Sequence, residues 1–257
     1  MISSPDSKRE QPVLETRGIR KDYGGQVLLD DINITVYPGE LVSILGMSGS
    51  GKTTLFNIIS GLIQPEEGQV LLHGREVTGE TGHIAYMLQK DLLLPYKTIL
   101  DNVALPLEIR GVSRDEARAK AGEDFDFFGL AGTEHKYPRQ LSGGMRQRAA
   151  LLRTYLFSKD LALLDEPFSA LDTITRSSLH QWYLEVMDRI HLTTLFITHD
   201  IDEAILLSDR ICLLTGSPSQ ISREIRIEEP RPRSPEFRVS EEFLRYKRMI
   251  LNELKNQ

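Results

Sequence analysis

The run GMSGSGKT at 46–53 constrains this chain more than any other stretch. It fits G-x-x-x-x-G-K-[ST], follows the apolar run LVSIL at 41–45, and leads into TLFNIISGL, where Leu55, Ile58, Ile59 and Leu62 recur at helical spacing. A buried strand that turns through glycines into a helix is a phosphate-binding loop. Gly46, Gly49 and Gly51 let the backbone bend until several N–H groups converge on phosphate oxygens, and the helix starting near Lys52 adds its positive dipole end. Lys52 is expected to reach the β and γ phosphates of ATP, and Thr53 to ligate Mg²⁺. A Gly-rich turn with a chance lysine is the alternative; the strand before the loop and the helix after it argue against that.

Three more short apolar runs end in a polar residue: HIAYML at 83–88, LALL at 161–164 and TLFIT at 194–198. Such runs suit strands buried on both faces, as in a parallel sheet covered by helices. Ligands of open α/β sheets lie beyond the carboxyl ends of the strands, so the residues after each run are the test. They are Gln89, Asp165 with Glu166, and His199. Asp165 is placed to hold Mg²⁺ directly or through water, and Glu166 to polarise the attacking water. Gln89 can bond that water or complete the metal shell, and His199 can sense the γ-phosphate. Taken singly, Asp165 also fits a loop start and His199 a core or capping residue.

Around this centre, residues 12–40 alternate polar and apolar positions between turn signals at Gly24-Gly25 and Pro38-Gly39, which predicts a small antiparallel sheet. Residues from about 90 to 155 read as a helical insertion, with Ser113 and Glu116 spaced as a capping box and Gly129 suited to end that helix. After a Pro-rich link at 230–235, Phe243, Leu244, Ile250, Leu251 and Leu254 recur at helical spacing, for a helix that packs on its own domain or docks elsewhere. The polar start, residues 1–11, reads as a mobile arm rather than a secretory signal, and no run is long and apolar enough to span a membrane. A formal charge of -6 argues against a polyanion-binding surface spread over the whole protein, with a local basic patch as the alternative, which makes nucleic acid a poor first guess. One cysteine, Cys212, excludes an intrachain disulfide framework and fits the cytosol.

LSGGMRQR at 141–148 resembles the signature sequence of ABC ATPases, and it precedes Asp165 as that family's order requires. The chain from about 12 to 215 is similar to one ABC nucleotide-binding domain, with the phosphate loop, the Gln89 loop, LLDEP at 163–167, SALD at 169–172 and His199 in sequence. The resemblance implies a mixed α/β P-loop NTPase fold: a core sheet with an N-terminal antiparallel β subdomain and a helical subdomain, the ATPase domain spanning 12–229 and a linker with C-terminal helix 230–257. It implies nucleotide contacts from Gly46, Ser48, Gly49, Ser50, Gly51, Lys52, Thr53 and Thr54, and adenine stacking by Tyr23, which as a lone aromatic at a strand end also fits simple packing. Ser142 can cap a helix, so Ser142, Gly143 and Gly144 offer a second anion-binding helix start. In the family, ATP lies between the phosphate loop of one subunit and this motif of another, so one chain implies a two-subunit assembly with Asp172 at the junction; an ordinary helix cap is the alternative.

A separate chain of this kind looks like the ATPase subunit of an importer, peripheral at the cytoplasmic face of the membrane. Its partners would be a second ATPase subunit, integral permease subunits and, indirectly, an extracytoplasmic solute-binding protein. MLQKDLLLPYKTILDNVALPLEIRG at 87–111 and the tail EFRVSEEFLRYKRMILNEL are similar to the nitrate, sulfonate and taurine importer group, which includes carriers of thiamine-precursor pyrimidines. Leu92, Leu93, Leu94, Pro95 and Tyr96 then form an apolar stretch where a permease helix would dock, or where the helical subdomain packs on itself. A soluble ABC ATPase acting on nucleic acid or ribosomes is the rival, but sustained heptads and a second phosphate loop are missing. A P-loop kinase or GTPase has no use for LSGG.

Overall fold

The computed structural model describes residues 11–169 and 173–255. The strands are β1 (Leu14–Tyr23), β2 (Gln26–Val36), β3 (Leu41–Leu45), β4 (Glu67–Leu72), β5 (Arg75–Glu76), β6 (Ala85–Met87), β7 (Leu161–Asp165), β8 (Thr193–Thr198), β9 (Arg210–Thr215) and β10 (Gln220–Arg226). The helices are α1 (Lys52–Ile59), α2 (Ile99–Ile109), α3 (Arg114–Glu123), α4 (Gly143–Phe157), α5 (Thr173–Ile190), α6 (Ile201–Leu207) and α7 (Glu241–Lys255). Among the described residues no helix is long and apolar enough to cross a membrane.

Two sheets carry the fold. The larger runs β10-β9-β3-β8-β7-β6, with β9, β3, β8, β7 and β6 parallel and β10 antiparallel at one edge. Its central strands are apolar on both faces because each face is covered by a different layer. Val42, Ile44, Leu163, Leu195, Ile197, Cys212 and Leu214 join α1 and the second sheet in one core. The alternate residues Leu41, Ala162, Leu164 and Phe196 pack with α4 and α5, and Leu45, Ile211 and Leu213 with α6 and α7. The strand period of two thus sorts one sequence into separate cores.

The smaller sheet, β2-β1-β4-β5, is antiparallel. Its first hairpin turns at Gly24 and Gly25, whose φ values of 62° and 85° suit the tight turn between Tyr23 and Gln26. The pairing of β1 with β2 matches the pattern read over 12–40, while β4 and β5 join from 67–76 without having been expected.

Several local readings need correction. Ser113 caps α3 by position, but its side chain accepts no bond from the helix, and Glu116 pairs instead with Lys120 at 2.7 Å. That helix ends at Glu123, and Gly129, at φ 66°, closes a later turn. Leu62 lies past the end of α1 and is 59% exposed, its place in the core taken by Phe56. On α7 the buried residues are Phe243, Tyr246 and Ile250, which pack with Ala204 and Ile205 of α6 and Ile211 and Leu213 of β9, while Leu244 faces outward.

Candidate functional site

Because the strands are parallel and in register, Leu45 lies beside Thr198, Asp165 beside Ile197, and Met87 beside Leu164. The chain therefore delivers Gly46, Gln89, Glu166 and His199 to one edge. Past β3 the loop folds tightly: a Cβ on Gly46 would lie 2.5 Å from the Leu214 carbonyl oxygen, and Gly51 holds φ 86° with Leu29 2.8 Å from any added Cβ. Only glycine fits either position. Gly51 is the N-cap of α1 and supplies no side-chain cap, so the first N–H groups of the helix are left for a ligand.

Lys52 is buried at the start of α1, and its Nζ donates to the carbonyl oxygens of Gly46 (2.9 Å) and Met47 (2.6 Å). Burial lowers its pKa, against the pull of Glu166 and Asp165. Phosphate oxygens would compete for the same ammonium. Thr53 Oγ1 donates to Asp165 Oδ2 at 3.1 Å, and Tyr86 Oη reaches the same oxygen at 3.4 Å. Asp165 is 5% exposed, and burial holds its carboxyl above the usual carboxylate range. A carboxylate so placed, with a hydroxyl beside it, is a hard-oxygen donor set short of positive charge, which fits Mg²⁺ completed by phosphate oxygens and water. Among the described residues no cluster of three or more acidic, His or Cys side chains offers an all-protein cage.

Glu166 is gripped from several sides. His199 Nδ1 lies 3.0 Å from Oε1, Gln89 Nε2 donates to Oε2 at 3.1 Å, and the Glu166 N–H donates to the Ile197 carbonyl at 3.0 Å. Ser169 bonds back to the Glu166 carbonyl through both its N–H (3.1 Å) and its hydroxyl (2.9 Å). This grip maintains a backbone φ of 44°, a left-handed conformation that costs a non-glycine residue about 1 to 2 kcal/mol. Gln89 thus contacts Glu166 and Ser169 (3.3 Å) rather than the Thr53 and Asp165 pair.

Two clefts flank this edge. One, of about 560 Å³, has Tyr23, Met47, Ser48, Gly49 and Ser50 in its wall, with the Tyr23 ring 53% exposed and Lys21 Nζ 5.3 Å from its centroid. The other, of about 780 Å³, is lined by Gln89, Glu166, Ser169, His199 and Gly143. Ser142 caps α4, its Oγ accepting from Met145 N at 3.3 Å, and Gly143 and Gly144 form the first turn. Thr54, the third residue of α1, is half-buried. Asp172 lies outside the described residues.

The sequence reading passed over Tyr86, Ser169 and two arginines of α4. Arg146 Nε donates to Asp91 Oδ2 (3.1 Å), and Arg153 donates to the carbonyls of Asp91 (2.6 Å) and Leu92 (2.9 Å). Arg146 lies inside LSGGMRQR, so a signal was present; Tyr86 lies one residue inside a strand run whose end alone drew attention.

The profile described as ABC transporter matches residues 29–169. The chain belongs to the ABC transporter family. It is the ATP-binding cassette of that family, an ATPase coupled to transport. A formylaminopyrimidine import ATP-binding protein of Halalkalibacterium halodurans is 48% identical over 200 residues, 78% of each chain. An aliphatic sulfonates import ATP-binding protein of Burkholderia cenocepacia is 41% identical over 86% of this chain and 81% of that one. A nitrate import ATP-binding protein of Synechococcus elongatus is 41% identical over 82% of this chain but only 32% of its own length. Among solved structures, a dimeric ATP-binding cassette in a post-hydrolysis state with ADP and Pi has 30% identity and a TM-score of 0.70, covering 84% of this ABC cassette and all of that chain. An ABC transporter component from Clostridium perfringens, 22% identical, shares the fold with a TM-score of 0.78 over 95% of this cassette and 98% of its own chain.

Proposed function

We propose that this cassette is the ATP-hydrolysing subunit of a multi-subunit ABC importer, paired with a second copy of itself on permease subunits at the cytoplasmic face of the membrane. The observation that carries the reading is the arrangement at the sheet edge. Lys52 sits at the phosphate loop, Thr53 and Asp165 form one oxygen pair, and Glu166 is aimed by Gln89 and His199.

In this reading Tyr23 stacks on adenine, and Gly46, Ser48, Gly49, Ser50, Gly51 and Thr54 with Lys52 cradle the phosphates. Thr53 and Asp165 would hold Mg²⁺, which would supply charge neutralisation on the β and γ phosphates. Glu166 takes a proton from the attacking water, while Gln89 orients that water and His199 reads the γ-phosphate. Ser142, Gly143 and Gly144 of the second copy close over the same phosphate, with Asp172 at the junction. Two bound ATP molecules draw the pair shut, and hydrolysis reopens it. The dimeric cassettes among its structural relatives support the pairing.

Relatives named for import of formylaminopyrimidine, nitrate and sulfonates support a small organic or inorganic solute. Such a solute would arrive through an extracytoplasmic binding protein that this chain does not touch. Leu92 and Tyr96, 52% and 72% exposed beside the Gln89 loop, suit a docking permease helix, while Leu93 is buried. The test is purification from membranes: a polytopic partner should accompany the chain, and turnover should rise when loaded binding protein is added. Turnover stimulated by nucleic acid, with no membrane partner, would overturn the reading.

A further inference from the structure

Two residues past Glu166, Phe168 is 3% exposed. Its ring meets His180 edge-on at 4.7 Å and Tyr183 at 5.4 Å, both on α5. His180 is itself buried, and its Nε2 lies 2.8 Å from Oε1 of Glu203 on α6, which is 5% exposed. Glu203 stands in the first turn of α6, where the Asp200 carboxylate accepts from the N–H groups of Asp202 (2.9 Å) and Glu203 (3.2 Å). Asp200 directly follows His199, and His199 returns to Glu166 at 3.0 Å. The contacts close a ring: Glu166, Phe168, His180, Glu203, Asp200, His199 and back to Glu166.

We propose that His180 is a positioning residue for ATP hydrolysis, setting the separation between the Glu166 loop and α6 so that Glu166 and His199 meet. This rests on the roles given to Glu166 and His199 above. The two bonds from Ser169 to the Glu166 carbonyl hold loop 166–169 from within, and the left-handed φ of Glu166 calls for packing from outside the loop as well. His180 supplies part of that packing from two sides at once, its ring edge against Phe168 and its nitrogen against Glu203. An apolar pair at 180 and 203 would fill the same space with less desolvation, whereas a buried His and Glu pair accepts only one geometry. That directional contact ties α6, and with it His199, to the loop that bears Glu166.

The test uses the full chain, with steady-state hydrolysis at saturating Mg-ATP, nucleotide affinity by titration, and thermal melts to confirm folding at the assay temperature. His180→Ala should lower kcat about tenfold, the scale expected when a reacting group is displaced by a fraction of an ångström, with ATP affinity changed less than about twofold. On a His199→Ala background the same substitution should cost less than about twofold more, because the two act through one contact. His180→Gln, which keeps an N–H donor for Glu203, should recover most of the lost kcat. The proposal falls if His180→Ala keeps kcat within twofold of the parent, or if its loss simply multiplies with that of His199→Ala. If His180→Ala does not fold, Phe168→Leu, still apolar but without the ring edge, is measured against the same two expectations. Glu166→Gln is run alongside: full turnover there removes the underlying role of Glu166, whereas a dead Glu166→Gln beside a silent His180→Ala removes only the proposal about His180.

Discussion

Burial makes Asp165 hold a proton more tightly in the folded chain than in the unfolded one, so its contribution to stability is present at low pH and lost as pH rises through its raised pKa. At neutral pH the ionised carboxylate therefore works against folding. Asp165→Asn should melt at a higher temperature than the parent in buffer without nucleotide, while Mg²⁺-dependent turnover disappears; a lower melting temperature would contradict this account of the site. Glu166→Gln keeps the shape of a side chain that accepts from Gln89 and His199, so ATP affinity should hold while hydrolysis falls by about 10² to 10⁴. Gel filtration of that variant with ATP should reveal a trapped dimer. Lys52→Ala removes the only described ammonium at the phosphate loop, and isothermal titration should register a loss of nucleotide affinity of at least about tenfold.

At the scale of elements, α4 offers a separable test. Ser142 both caps the helix and, in the proposed pair, faces the other subunit's phosphate. Ser142→Asp keeps a good cap and adds favourable charge at the helix start, so the melting temperature should hold or rise. ATP-driven pairing should nevertheless vanish, because the new carboxylate faces a phosphate. Elements also explain what was legible in the sequence. β3, β6, β7 and β8 could be read because each belongs to a short apolar run followed by a polar residue or loop, and their parallel register brings Gly46, Gln89, Glu166 and His199 to one edge. β4 was illegible because GQVLL is an ordinary half-buried pattern whose partner β1 lies some fifty residues earlier, and a strand's own pattern does not name so distant a partner. The capping box at Ser113 failed because Glu116 had a nearer partner in Lys120. His180 and Tyr86 gave no local signal: their roles come from contacts with Glu203 and Asp165, far away in the chain.

For the whole molecule, Tyr96→Asp tests the proposed membrane partner directly. The Tyr96 ring is 72% exposed, so the substitution should leave the melting temperature and ATP affinity unchanged while co-purification of a permease is lost. Composition pointed away from nucleic acid, and the family comparison names a transporter; neither reveals the solute, because recognition of the solute would occur on other chains. One feature of α4 bears on how such an assembly would be driven. Arg146 and Arg153 stand two turns apart on this helix; Arg146 holds the Asp91 carboxylate and Arg153 the carbonyls of Asp91 and Leu92, so the exposed Leu92 is tied to α4. The helix has 15 residues and hence a length of about 22 Å, with Ser142 at its tip. Riveted at two points, the helix would act as a crank in the proposed assembly: a push at Leu92 would swing that tip, and a pull on the tip would move Leu92 in return.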